Sequence, residues 1–351
     1  MTFEEFIMQA REMNASDIHL TVGAPTVVRV NGELRKYTEL SDQVVNRTIL
    51  SILSAEQEKM LTEGKDIDFS FELKNGARQR VNVFRQSGKL AACIRLLNAE
   101  IPTLEELKMP PVLLEFAKKR RGLVLVTGPT GAGKSTTLAA LMEYINKTRA
   151  CHVITIEDPI EYRYKQEKAT IHQRELGRDV PSFHEALRSA LREDPDVILI
   201  GEMRDYETIS LAMTAAETGH LVFGTLHTSS AAQTVDRIID ACPIHSQDQV
   251  RSKLASMIQG IIAQTLIPRA DGKGRVAAVE VMIGTDAIRN LIRSAKINMM
   301  ETTMAAGARD GMCTLNASLA NLYKTGQISY ETALEYATDR GEMEKKLLSG
   351  I

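Results

Sequence analysis

Leu123-Val124-Leu125-Val126-Thr127-Gly128-Pro129-Thr130-Gly131-Ala132-Gly133-Lys134-Ser135-Thr136 passes from an apolar run through a glycine-rich turn into helix-compatible sequence. From Gly128 onward it meets G-x-x-x-x-G-K-[ST] at every fixed position, the pattern of a phosphate-binding loop. The flanks supply the context the pattern requires. Residues 123–126 suit a short buried parallel strand, and Leu138, Leu141, Met142 and Ile145 recur downstream at helical spacing. Gly128, Gly131 and Gly133 free the backbone to turn its N–H groups toward phosphate, beside a positive helix N-terminus. Residues 128–136 are therefore expected to hold ATP, with Lys134 on the β- and γ-phosphates and Ser135 ligating Mg²⁺.

With 351 residues, the chain is longer than one core usually serves, so two domains, or one domain with a helical appendage, are expected. Lys and Arg total 43 against 45 Asp and Glu, which leaves no positive field to recruit nucleic acid or anionic lipid. The opening Met1-Thr2-Phe3-Glu4-Glu5-Phe6 is acidic and lacks the regions of a signal peptide, and no apolar run approaches the length of a membrane span. A cytosolic protein is expected. Cys93, Cys151, Cys242 and Cys313 are scattered without metal-ligand spacing and read as small buried apolar residues.

Phe3, Phe6, Ile7, Ala10 and Met13 fall on one helical face, after which the period changes to two. Strands are expected at 18–22 and 27–30, with Asn31-Gly32 as a hairpin turn, and again at 66–73 and 80–85 about Asn75-Gly76. Pro102, Pro110 and Pro111 interrupt a polar stretch and mark a junction. Beyond it, strands at 123–126, 153–156, 197–200, 221–225 and 276–283 alternate with helices, one opened by the capping box Ser182-Phe183-His184-Glu185. The second half thus reads as a doubly wound α/β core, and only helical patterns follow Thr285. The expected division is a domain at 1–98, a linker at 99–111, a nucleotide-binding domain at 112–284 and a helical region at 285–351.

Hydrolysis needs an acid to position Mg²⁺ and a base for water. Asp196-Val197-Ile198-Leu199-Ile200-Gly201-Glu202 is an apolar strand ending in an acid; Ile154-Thr155-Ile156-Glu157-Asp158-Pro159-Ile160-Glu161 ends another in carboxylates. In an open parallel sheet, ligands sit beyond the carboxyl ends of the strands, where both clusters and the glycine-rich loop would lie. His220 and His227 bracket a further strand. His227, ahead of Thr228-Ser229-Ser230, is placed to sense a γ-phosphate, whereas His220 reads as a packing or hydrogen-bonding residue.

Together these segments resemble the secretion-superfamily hexameric ATPases, and within them the type IV pilus retraction motors. The four boxes of that superfamily correspond to the Walker A loop at 128–136, an acidic box at 155–161, a Walker B segment at 194–202 followed by Met203-Arg204-Asp205, and a histidine box at 219–228. Ser16-Asp17-Ile18-His19-Leu20 and Val28-Arg29-Val30-Asn31-Gly32 are similar to the PAS-like domain of these motors, and Ala287-Ile288-Arg289-Asn290-Leu291-Ile292-Arg293 to the C-terminal motif of the retraction motors. The resemblance implies a PAS-like α+β domain, a RecA-like P-loop core and a C-terminal helical appendage. It implies a catalytic set of Lys134, Glu157, Glu161, Glu202 and His227, with Glu161 and Glu202 both open as the base and Ser135 and Glu202 as Mg²⁺ ligands. It also implies that Arg78, Arg80, Arg188 and Arg192 reach phosphates between the two domains.

On a helix, Ile288, Leu291 and Ile292 share an apolar face, and Arg289 and Arg293 lie one turn apart, either on a solvated surface or facing a partner. The implied assembly is a homohexamer at the cytoplasmic face of the inner membrane, acting on a membrane-embedded pilus platform protein and tied to the membrane only through partners. The alternatives are an accessory retraction ATPase and a nucleotide-gated scaffold without useful turnover.

Overall fold

The computed structural model describes residues 3–30, 32–97 and 100–348. They divide into two compact units: Met1–Glu100 with Pro159–Arg163, and Ile101–Asp158 with Tyr164–Ile351.

The first unit is an antiparallel sheet of β1 (Ala15–Thr21), β2 (Thr26–Val30), β3 (Glu33–Thr38), β4 (Ile67–Glu72), β5 (Arg78–Gln86) and β6 (Lys89–Leu96), in the order β3-β2-β1-β6-β5-β4. Its core joins Ile18, Leu20, Val28, Val81, Val83 and Ile94 to Phe6, Ile7 and Ala10 of the helix Phe3–Glu12. Met13 leaves that face: the helix stops at Glu12, Asn14 turns at φ +56°, and Met13 is 43% exposed. The Asn75-Gly76 turn forms as expected, with Asn75 Oδ1 accepting from the Ala77 amide and Gly76 at φ +82°. Asn31 lies outside the described residues. β3 was not expected, because as an edge strand with no buried residue it shows no apolar alternation.

The second unit is built on β7 (Gly122–Thr127), β8 (His152–Glu157), β9 (Thr170–Glu175), β10 (Val197–Ile200), β11 (Leu221–Leu226), β12 (Ile258–Pro268) and β13 (Arg275–Ile283), in the order β13-β12-β7-β11-β10-β8-β9. All neighbours are parallel except β12 and β13. Every residue of β7, β10 and β11 is buried, because helices cover both faces, so these strands read as unbroken apolar runs. β12 escaped the sequence reading for a physical reason. The helix Gln247–Met257 runs straight into it without a turn residue, and the burial of the strand, with residues 260–264 buried without a break, does not alternate to give a period of two.

Beyond Thr285 the described elements are helical, as expected, and they pack on the core sheet. Ile288, Leu291 and Ile292 join the cluster of Ile258 and Met282, and Leu319, Leu322 and Ile328 close over Ile267, Val276 and Ala278. No described helix is long and apolar enough to cross a membrane. Cys242 is buried and the other cysteines are half-buried; all four thiols are free.

Candidate nucleotide site

Parallel register alone lines up the segments singled out above. Thr127 pairs with Leu226, and Ile200 pairs with Gly224 on one side and Ile156 on the other. The chain therefore leaves one edge of the sheet at Gly128, His227, Gly201-Glu202 and, at the end of β8, Glu157. This is the carboxyl edge, where α/β sheets bind ligands.

At that edge residues 128–133 form the loop and Lys134–Thr148 the helix. Gly128 sits at φ +142°, and a Cβ there would lie 2.2 Å from the backbone oxygen of Gln264, so no other residue fits. Gly133 caps the helix in the left-handed region with no side-chain cap bond, so no side chain at that position shields the positive helix N-terminus. Pro129, Thr130, Gly131 and Ser135 are exposed, while Ala132 is buried against the sheet. Lys134 Nζ donates to the carbonyls of Gly128 at 2.7 Å and Pro129 at 3.1 Å, folding a cation over the loop.

Glu202 is held by two basic side chains. Arg204 grips both its oxygens, Nε to Oε1 and Nη2 to Oε2, each at 2.7 Å, and His227 Nε2 stands 2.9 Å from Oε1. The Arg204 hydrogen bond, working against partial burial and helped by His227, holds the Glu202 carboxyl below the usual carboxylate range. Gly201 keeps β10 close to β8: a Cβ there would come 3.0 Å from the Ile156 oxygen. Sequence reasoning singled out Glu202 and His227. It gave Arg204 no role, since nothing in Met203-Arg204-Asp205 says that the arginine folds back onto the acid two residues earlier.

Glu157 accepts from Thr155 Oγ1 at 2.7 Å and Gln173 Nε2 at 3.1 Å, so its carboxylate is anchored to β8 and β9. Glu161 is half-buried in the segment Pro159–Arg163, which belongs to the first unit. Arg188 and Arg192 are exposed, at and just beyond the end of the helix Phe183–Ala190, whose start is capped by Ser182 Oγ accepting from the Glu185 amide. In the first unit Arg80 holds Asp68 through two contacts, of 2.7 and 3.2 Å, and Arg78 is only 4% exposed. His220 bonds the Ala215 carbonyl at 2.9 Å, the hydrogen-bonding role expected for it.

The chain is 50% identical to the type IV pilus retraction ATPase PilT of Pseudomonas aeruginosa, over 96% of this chain and 98% of that protein. It is 38% identical to the type IV pilus ATPase PilU of the same bacterium, over 100% of this chain and 92% of PilU. Among solved structures, the crystal structure of the pilus retraction motor PilT with bound ADP superimposes with a TM-score of 0.91 at 47% identity, covering 98% of this chain and 99% of that one. The sequence profile of the type II/IV secretion system proteins matches residues 1–344, and the chain belongs to that family.

Proposed function

We propose that this protein is an ATP-hydrolysing hexameric motor that powers type IV pilus retraction, with residues 1–98 as a PAS-like domain, 99–111 as its linker, 112–284 as a RecA-like core and 285–351 as the helical remainder. The observation that carries the chemistry is the shared strand edge, which puts an uncapped helix N-terminus, a lysine, and an acid held ionised between arginine and histidine in one row. On the biological side, the likeness to PilT runs end to end and is greater than that to PilU, which favours the principal motor over an accessory one.

The loop fits the phosphates of ATP: Gly128 has no room for a side chain, and no side chain caps the helix at Gly133. Lys134 exchanges the carbonyls of Gly128 and Pro129 for the β- and γ-phosphates. Ser135 and Glu202 are the residues that would hold Mg²⁺, which would supply positive charge to offset that of the phosphates. Glu202 orients the attacking water, and His227 holds the Glu202 carboxylate in place. Arg188 and Arg192 add positive charge to the phosphates during turnover.

The proposed setting is a homohexamer at the cytoplasmic face of the inner membrane, turning a pilus platform protein; a formal net charge of −2 disfavours a DNA-translocating motor. Deleting the gene tests the reading. Cells that keep their pili but neither retract them nor twitch support it, and bald cells overturn it in favour of extension. Purified protein that binds ATP without releasing phosphate would instead be a nucleotide-gated scaffold.

A further inference from the structure

Gln264 follows Ala263, which pairs with Thr127 at the end of β7, so β12 runs alongside the phosphate loop. Its side chain is 2% exposed and both amide ends are engaged. Nε2 donates to the Ala132 carbonyl at 2.6 Å, and Oε1 accepts from Thr137 Oγ1 at 2.9 Å. The Gln264 main-chain oxygen fills the space a Gly128 side chain would need, and its Nε2 would lie 3.1 Å from a Cβ on Gly133. One residue thus meets the loop at its first glycine, at its last turn and in the first turn of the helix. The other backbone bonds of these residues, Ala132 N–H to the Pro129 oxygen and Thr137 N–H to the Gly133 oxygen, are local and tie the loop only to itself.

The chemistry demands a primary amide of this length. The Ala132 carbonyl can only accept, so nitrogen must face it, and the amide oxygen is then left for the Thr137 hydroxyl. An ionised carboxylate has no donor, asparagine is a methylene shorter, and leucine offers neither group. A peptide at 132 free to rotate could swing its carbonyl toward a bound anion and its neighbour's N–H away from it. Neither the strand nor the glycine pattern hints at this role, because Gln264 stands more than a hundred residues from the loop, in a run that reads as apolar.

We propose that Gln264 is a positioning residue for nucleotide: its amide locks the peptide after Ala132 with the carbonyl turned back to β12, and so sets the loop's affinity for phosphate. The inference rests on residues 128–136 being the phosphate loop.

The test uses the full chain, titrated with the fluorescent nucleotide MANT-ADP, alongside steady-state ATPase assays and thermal melts without nucleotide. Gln264→Leu and Gln264→Glu are expected to bind MANT-ADP about tenfold or more weakly, the scale of a lost buried hydrogen bond, with KM for ATP rising more than kcat falls. Thr137→Val, which removes only the hydroxyl, should weaken binding in the same sense, while Thr137→Ser should restore it. The double variant Gln264→Leu/Thr137→Val should lose less than the product of the single losses, since both act on one amide. Parental affinity in a folded Gln264→Leu overturns the proposal, as does a loss explained entirely by a smaller folded fraction. Should Gln264→Leu fail to fold, unchanged affinity in Thr137→Val overturns it from the other end. Failure of the parent protein itself to bind MANT-ADP would defeat the phosphate-loop reading instead, and that is seen before any variant is made.

Discussion

His227 Nε2 lies 2.9 Å from Glu202 Oε1, joining two segments 25 residues apart at the ends of adjacent parallel strands. The carboxylate between this imidazole and Arg204 has its rotamer set from both sides. A histidine so placed acts on the reaction through the acid it touches. His227→Ala is expected to keep ATP binding within a few-fold of the parent and to lower kcat by about 10–100-fold, on the scale of a lost positioning contact. Phosphate release and nucleotide titration on the same preparation check it; equal losses in both would make His227 a nucleotide contact.

Lys134→Ala should abolish hydrolysis with little change in melting temperature, since the lysine's charge lies over loop carbonyls and outside the core. Glu202→Gln should retain binding and slow turnover by about 10²-fold or more, as for a group acting mainly in the transition state. Glu161→Gln assayed beside it separates the two acids: the base is the one whose loss blocks a single turnover with ATP bound.

The phosphate loop offers a contrast in stability. A methyl group on Gly131 meets nothing within 4 Å, so Gly131→Ala costs only the left-handed backbone strain of about 1–2 kcal/mol. On Gly128 the same methyl group collides with the main chain of β12 at Gln264, which cannot swing away as a side chain could. Gly128→Ala is therefore expected to destabilise the apo protein clearly more than Gly131→Ala, as read from denaturant midpoints.

These contrasts show what could be read in the sequence. The loop, the acid after β10 and the histidine after β11 were legible because phosphate and metal chemistry dictate residue type and spacing within short segments. Arg204, Gln264 and β12 were not, because their roles come from pairings made across the sheet. The arginines stand between these cases. Arg80 was picked out as a charge, but that it spends its charge on Asp68 depends on the facing strand.

Glu280 on β13 is 6% exposed, and its carboxylate accepts from the Ala231 amide at 2.7 Å, at the start of the helix that follows the histidine segment. Burial pushes its pKa up, against the pull of that amide bond. The folded state thus keeps a proton that the unfolded chain gives up, and stability falls as pH rises from the ordinary carboxylate range through the raised folded value. Glu280→Gln has no proton to lose. Its melting temperature relative to the parent should therefore increase across that window and level off above it. A difference that is flat with pH would mean that Glu280 is charged in the folded protein.

The helix Asp286–Arg293 separates two arginines that looked alike. Arg289 is half-buried and its Nη2 donates to the Ile258 carbonyl at the start of β12, at 3.2 Å, whereas Arg293 is exposed. The Arg289 Nε is buried with no partner among the described residues. Arg289→Ala removes a tie between this helix and the strand beside the phosphate loop, and should lower stability by about 1–3 kcal/mol. Arg293→Ala should fall within about 0.5 kcal/mol of the parent, as exposed substitutions do. The informative comparison is then motor output at matched folding. If Arg293→Ala hydrolyses ATP normally but cells carrying it neither retract pili nor twitch, the exposed turn of this helix is a contact surface through which hydrolysis becomes motion. If Arg293→Ala retracts normally while Arg289→Ala loses ATPase activity and motility together, the helix serves the motor only by holding β12 in place.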